Sequence, residues 1–108
     1  MTPSEQFSAL ADPTRCRVLE LLAERSRPVH ELAGAFDISR PAISRHLRIL
    51  KEAELVAEEK QGRENVYSLQ RANLKPVADW LTRYWNAKMF LLKDTVEAAP
   101  SAQMELEL

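Results

Sequence analysis

A chain of 108 residues, 45% of them hydrophobic, is long enough for one core and too short for two ordinary domains. Two glycines and long apolar-periodic runs exclude a loop-rich architecture and point to a mainly helical protein. A net charge of −1 excludes a protein that coats nucleic acid indiscriminately, yet permits a local basic face, because salt confines such fields to about 10 Å.

The first predicted helix covers Ser4 to Leu10 and buries Phe7 and Leu10. Asp12 followed by Pro13 is an N-cap and first-turn pair that opens a second helix through about Glu24, with Val18, Leu19, Leu21 and Leu22 on its core face. Pro28 closes the linker, and Val29 through Phe36 form a third helix with Leu32, Ala33 and Phe36 inward. Asp37-Ile38 is a tight turn into a fourth helix. Ser39 caps it, Pro41 sits in its first turn, and Ala42, Ile43, Leu47 and Leu50 line its buried stripe. Two short helices joined by such a turn make a helix-turn-helix. The period then changes. Leu55 to Lys60 and Asn65 to Leu69 read as strands around Gln61-Gly62-Arg63-Glu64, a hairpin with its glycine in the turn. A hairpin directly after the fourth helix is the wing of a winged helix. A long helix from about Ala72 to Val96 follows, with one apolar stripe of Leu74, Ala78, Leu81, Trp85, Met89 and Leu92 and a second of Val77, Trp80, Tyr84 and Leu91. So wide an apolar surface on a terminal helix reads as a dimer interface, shared with Phe7 and Leu10 of the first helix. Residues 1–97 are thus expected to form a single winged-helix and dimerisation domain. Residues 98–108, with Pro100 and only acidic charges, are expected to be a frayed tail.

Residues 39–51 carry four basic side chains and no acidic one. With the apolar stripe turned inward, Arg40, Ser44, Arg45, Arg48 and Lys51 are left facing out. A short helix that is apolar behind and cationic with small hydroxyls in front suits a DNA major groove. A merely solvated face is the plainer reading of a charge run, but no Glu or Asp interleaves here to form pairs at four-residue spacing. Ser44 and Arg45 are the expected base readers, since arginine pairs bidentately with guanine. Arg48 and Lys51 are expected on phosphate, and Ser39 with the helix N-terminus on another through backbone N–H groups. In the wing, Lys60 and Arg63 flank the turn and reach for the backbone or minor groove, although Glu58, Glu59 and Glu64 among them also fit a solvated hairpin.

Three tracts together resemble the ArsR/SmtB family of bacterial winged-helix repressors over residues 5 to 95. They are Phe7-Ser8-Ala9-Leu10-Ala11-Asp12-Pro13-Thr14-Arg15, Ile38-Ser39-Arg40-Pro41-Ala42-Ile43-Ser44-Arg45-His46-Leu47 and Leu50-Lys51-Glu52-Ala53-Glu54-Leu55-Val56. Their order and spacing are specific. The resemblance implies a homodimer that binds a palindromic operator and represses a nearby promoter until a signal releases it. It also implies where a metal would sit. Metal-sensing members carry Glu-Leu-Cys-x-Cys where this chain has Glu31-Leu32-Ala33-Gly34-Ala35, so both ligand positions are alanine. Other members place an acid and two histidines along the last helix, where this chain has no histidine between Ala72 and Val96. Trp80-Leu81-Thr82-Arg83-Tyr84-Trp85 is similar to members without those sites.

Cys16, His30 and His46 remain as metal candidates. Nickel or zinc would suit the imidazoles, but no spacing ties the three together. Each has a plainer reading. His46, inside the fourth helix, is a packed or phosphate-touching imidazole. His30 is a surface residue near a helix start, and Cys16 is an inert thiol unless exposure lets Arg15 and Arg17 favour the thiolate. Trp80, Tyr84 and Trp85 line either an effector pocket or, as helical spacing favours, the core or an interface. Two histidines on different helix faces and one isolated cysteine supply neither a nucleophile beside a base nor a three-ligand metal site, so no enzyme is expected. A protein-interaction module docking through the Trp80–Trp85 face, or working with a second regulatory protein, is the competing function. One cysteine, no signal-like N-terminus and no run of about 18 apolar residues point to a cytoplasmic protein without a membrane span.

Overall fold

The computed structural model describes residues 2–96, with side chains through residue 85. The expected acidic tail at 98–108 and the side chains of Met89, Leu91 and Leu92 lie outside the described residues. The chain forms one compact unit through Val77 and a second from Ala78 onward. The element order is α1 (Pro3–Leu10), α2 (Pro13–Glu24), β1 (Arg27–Pro28), α3 (Val29–Gly34), α4 (Arg40–Glu52), β2 (Val56–Gln61), β3 (Glu64–Leu69), a 3-10 turn (Arg71–Leu74) and α5 (Lys75–Val96).

Local chemistry accounts for the starts of the first helices. Thr2 and Glu5 form a reciprocal capping box at α1. Asp12 caps α2 by accepting from the N–H groups of Thr14 (2.8 Å) and Arg15 (3.2 Å), with Pro13 in the first turn. Ser39 caps α4 through the Ala42 N–H (3.3 Å), with Pro41 behind it. Ile43, Leu47 and Leu50 on α4 are fully buried with Val18, Leu32 and Leu55, the centre of the core. Ala42, expected in that stripe, is only half-buried.

Four boundaries differ from expectation. The sheet has three strands, because Arg27–Pro28 adds β1 antiparallel to β3 in the order β1-β3-β2. A two-residue edge strand tolerates a proline, which has no N–H to donate. α3 stops at Gly34, and the Ala35 N–H bonds back only three residues to Leu32 O, so Phe36 reaches the core from a turn instead of a helix. The wing turn is tighter than expected, with Gln61 paired to Glu64 around Gly62 and Arg63. Gly62 takes φ 65°, the left-handed value that the first position of a type II′ turn requires. The last helix begins at Lys75, its first turn stiffened by Pro76; Ala72 belongs to the 3-10 turn before it. That turn is tethered from three sides. The buried Gln6 amide donates to Asn73 O, Asn73 donates to Glu54 O (2.8 Å) and Arg71 to Ala23 O (2.7 Å).

From Ala78 onward α5 belongs to the second unit. Trp80, Leu81, Tyr84 and Trp85 are 39–49% exposed, and the Trp80 and Tyr84 rings pack together with centroids 4.5 Å apart. No described helix is long and apolar enough to cross a membrane.

Candidate nucleic-acid interface

With the apolar side of α4 turned into the core, its other side is fixed outward. Arg40, Pro41, Ser44, Arg45, Arg48 and Lys51 are all exposed, as is the cap residue Ser39. Among the described residues, Arg40, Arg45 and Arg48 bond to no acid or carbonyl, and the same holds for Lys60 and Arg63 of the wing. Cations elsewhere in the first unit are engaged. Arg17 pairs with Glu20 (3.1 Å), Arg25 with Glu31 (2.8 Å), and Arg27 with Glu24 (2.5 Å) and Glu31 (2.9 Å). Arg15 and Arg71 donate to backbone carbonyls. Among the described residues the only other cation without such a partner is Arg83 of the second unit. Unpartnered charge is therefore gathered on α4 and the wing.

Lys51 differs from its neighbours. Its Nζ bonds Glu58 Oε1 at 2.9 Å, and Glu58 Oε2 accepts the Tyr67 hydroxyl at 2.6 Å. Glu58 and Tyr67 are cross-strand partners in the β2–β3 ladder, which brings the two side chains together. The Tyr67 hydrogen bond, with that of Lys51, holds the Glu58 carboxyl below its ordinary value against its own desolvation. Burial, reinforced by Glu58, pushes the Tyr67 hydroxyl well up. Sequence inspection missed this cluster. Counting strand residues outward from the Gly62 turn would have paired 58 with 67.

His46 does not face outward with the arginines. Its side chain is 18% exposed, and its Nδ1 lies 3.2 Å from Arg15 Nη1 and 4.0 Å from Asp12 Oδ1. The same Arg15 donates to Ala9 O (2.5 Å), so α4 is buttressed by the α1–α2 corner. Desolvation opposes ionisation of Asp12, but the N–H groups of Arg15 and Thr14, with His46 and Arg15 beside it, hold its carboxyl below the ordinary value. A packed imidazole is the reading this geometry favours. His30 pairs instead with Glu64 of the wing (2.9 Å), and the Cys16 thiol donates to Leu10 O (3.0 Å). The three metal candidates are thus in separate places. Among the described residues no group of three or more His, Cys, Asp or Glu comes together.

The expected dimer residues divide. Leu10 and Leu74 pack against the chain's own core and Phe7 is half-buried, whereas Ala78, Leu81 and Trp85 are exposed. Burial of Leu10 and Leu74 needs no partner.

Comparison with known proteins agrees with this architecture. A sequence profile described as "Bacterial regulatory protein, arsR family" matches residues 12–58, from the α2 cap to Glu58 on β2. The transcriptional repressor SdpR of Bacillus subtilis (strain 168) is 38% identical over 80 residues, 74% of this chain and 89% of that protein. Among solved structures, an ArsR-like transcriptional regulator from Rhodococcus sp. RHA1 is 33% identical with TM-score 0.69, covering 88% of this chain and 92% of that one. A homodimeric winged helix-turn-helix DNA-binding domain from Mycobacterium bovis is 28% identical with TM-score 0.63, covering 69% of this chain and 70% of that one. The chain belongs to the arsR family of bacterial regulatory proteins, which are DNA-binding transcriptional regulators of the winged helix-turn-helix class and not enzymes.

Proposed function

We propose that the protein is a cytoplasmic homodimeric repressor that sets two copies of α4 into successive major grooves of a palindromic operator and leaves it on a signal. The observation that carries this reading is the concentration of unpartnered cations on α4 and the wing. Ser44 and Arg45 read base edges, Arg40 and Arg48 neutralise phosphate, and Ser39 and Pro41 shape the helix end that approaches the backbone. Lys60 and Arg63 extend the contact from the wing. Residues 1–97 act as one DNA-binding and dimerisation domain, paired through Leu81 and Trp85 on α5 and Phe7 on α1. The homodimeric M. bovis neighbour supports that pairing, as do the exposed Trp80, Leu81, Tyr84 and Trp85. Two grooves on one face of DNA lie about 34 Å apart, so a small pivot between protomers is enough to release the operator. Alanine at 33 and 35 removes the cysteine ligand set of the metal-sensing relatives, so release depends on another chemistry or on a partner protein.

Selection from a random duplex pool should return an inverted repeat. Binding to that sequence should weaken with salt at a log-log slope of about −7, for four phosphate-bound cations on each of two protomers. The double change Arg45→Glu/Arg48→Glu should reduce affinity at least a thousandfold while thermal unfolding stays in place. A slope near zero, or full binding by the reversed variant, would overturn the reading.

A further inference from the structure

We propose that Glu58 limits the DNA affinity of this interface by holding Lys51 out of phosphate contact. The inference rests on the DNA reading of α4. By position Lys51 should be the next phosphate cation, one helical turn beyond Arg48 on the same exposed side. In Arg40, Arg45 and Arg48 the guanidinium has no partner among the described residues, whereas the Lys51 ammonium is already bonded to a carboxylate at 2.9 Å. That carboxylate is not a swinging surface acid. Its second oxygen takes the hydroxyl of Tyr67, whose ring is in the core, and the two residues sit opposite each other in the ladder. A short charge-assisted bond to an immobile donor fixes where the acid stands. For Lys51 to reach DNA, the ammonium must leave Glu58, and Glu58 must stay behind as an unbalanced charge beside the phosphates. Phosphate and carboxylate thus compete for one cation, and the carboxylate is the preorganised competitor. The chain carries one more groove-facing cation per protomer than it applies, so affinity is held below the ceiling set by its basic residues.

The test compares salt dependence on a mixed-sequence duplex for the wild type, Glu58→Gln, Lys51→Met and the double variant. Glutamine keeps the shape and an acceptor for Tyr67 but gives up the charge. Glu58→Gln should bind on the order of tenfold more tightly near 0.1 M salt, with a slope steeper by about 1.8, one added phosphate for each of two protomers. Lys51→Met, an exposed change at a helix end, should leave the wild-type slope in place. Adding it to Glu58→Gln should return the slope to the wild-type value. That return separates a freed lysine from simple loss of acidic repulsion, which would persist in the double variant. Flattening of the slope by Lys51→Met alone would show that Lys51 already contacts phosphate and would overturn the proposal. An unchanged slope in Glu58→Gln would do the same. Absence of wild-type binding would instead remove the DNA reading beneath it.

Discussion

Arginines are frequent in two regions of the first unit and are held in opposite ways. Across α2, β1 and α3, Arg17, Arg25 and Arg27 each meet a glutamate close in sequence. Across α4 and the wing, Arg40, Arg45, Arg48, Lys60 and Arg63 meet none. A net charge of −1 conceals this: Glu52, Glu54, Glu58, Glu59 and Glu64 stand in the same region, yet among the described residues none of them bonds any of these five cations. What separates a structural cation from one that seeks a ligand is pairing within the chain, not abundance. A cation paired at the surface adds little to a fold and has little left for DNA, whereas an unpaired one keeps its full attraction for phosphate.

Swapping the damage between the two regions breaks the comparison most sharply. Arg27 is 13% exposed on its side chain and bonds Leu21 O (3.0 Å), Glu24 and Glu31, so it stitches the end of α2 to the start of α3. Arg27→Ala should cost about 2 kcal/mol of unfolding free energy, the usual cost of removing a charged hydrogen-bonding group. Denaturant titration reads that loss, and DNA affinity of the folded fraction should not change. Arg45→Ala should do the reverse, costing about 1–3 kcal/mol of binding and almost nothing in stability. If Arg27→Ala weakened DNA binding at full folding, pairing would not be the distinction.

The contrast was half legible in the sequence, and the reason is locality. The limits of α4 follow from Ser39, Pro41 and the spacing of Ile43, Leu47 and Leu50, all within one segment, and its free arginines follow from the missing acids. β1 was illegible because two residues, one of them proline, form a strand only when β3 arrives to pair with them. The place of His46 depends on where α2 carries Asp12 and Arg15. Lys51 looked like its neighbours because its partner is across the turn on β2. Contacts that join elements, rather than build them, are the part that one-dimensional periodicity leaves out.

Acid should act first on the paired carboxylates, in whichever region they stand. Asp12, Glu31 and Glu58 all ionise more readily in the folded chain than at their ordinary values of 3.8, 4.5 and 4.5. For Glu31 the hydrogen bonds from Arg25 and Arg27 are the leading cause. A carboxyl lowered by folding contributes stability that is complete above its unfolded value and is lost as pH falls through the lower, folded one. Unfolding free energy should therefore be level from neutrality to about pH 5.5 and fall below about pH 4.5. Glu31→Gln should make the acid limb shallower. Arg40, Arg45 and Arg48, having no internal acid to lose, should add nothing to that limb, so Arg45→Ala should leave its slope unchanged. A steeper limb in Arg45→Ala would contradict the pairing pattern.

Within the second region, between α4 and the wing, lies a joint whose strain is in the backbone and not in charge. α4 ends with Glu54 N–H bonded to Lys51 O (2.9 Å) and Leu55 N–H to Leu50 O (3.0 Å), and buried Leu50 and Leu55 accompany the pair. That is a Schellman motif, and its left-handed position is held by Glu54 at φ 60°, where glycine is usual. An L-residue there costs about 1–2 kcal/mol. Glycine removes that cost but gives back about 0.5–1 kcal/mol in unfolded-state entropy. Glu54→Gly should therefore stabilise the protein by about 0.5 kcal/mol, a rise of about 2–4 °C in melting temperature. Its carbonyl, which accepts from Asn73, survives the change. Glu54→Ala, which keeps the Cβ and removes the charge, should give no such gain. Equal stabilisation by alanine would locate the cost in the carboxylate, and the joint would then belong with the charged regions on either side of it.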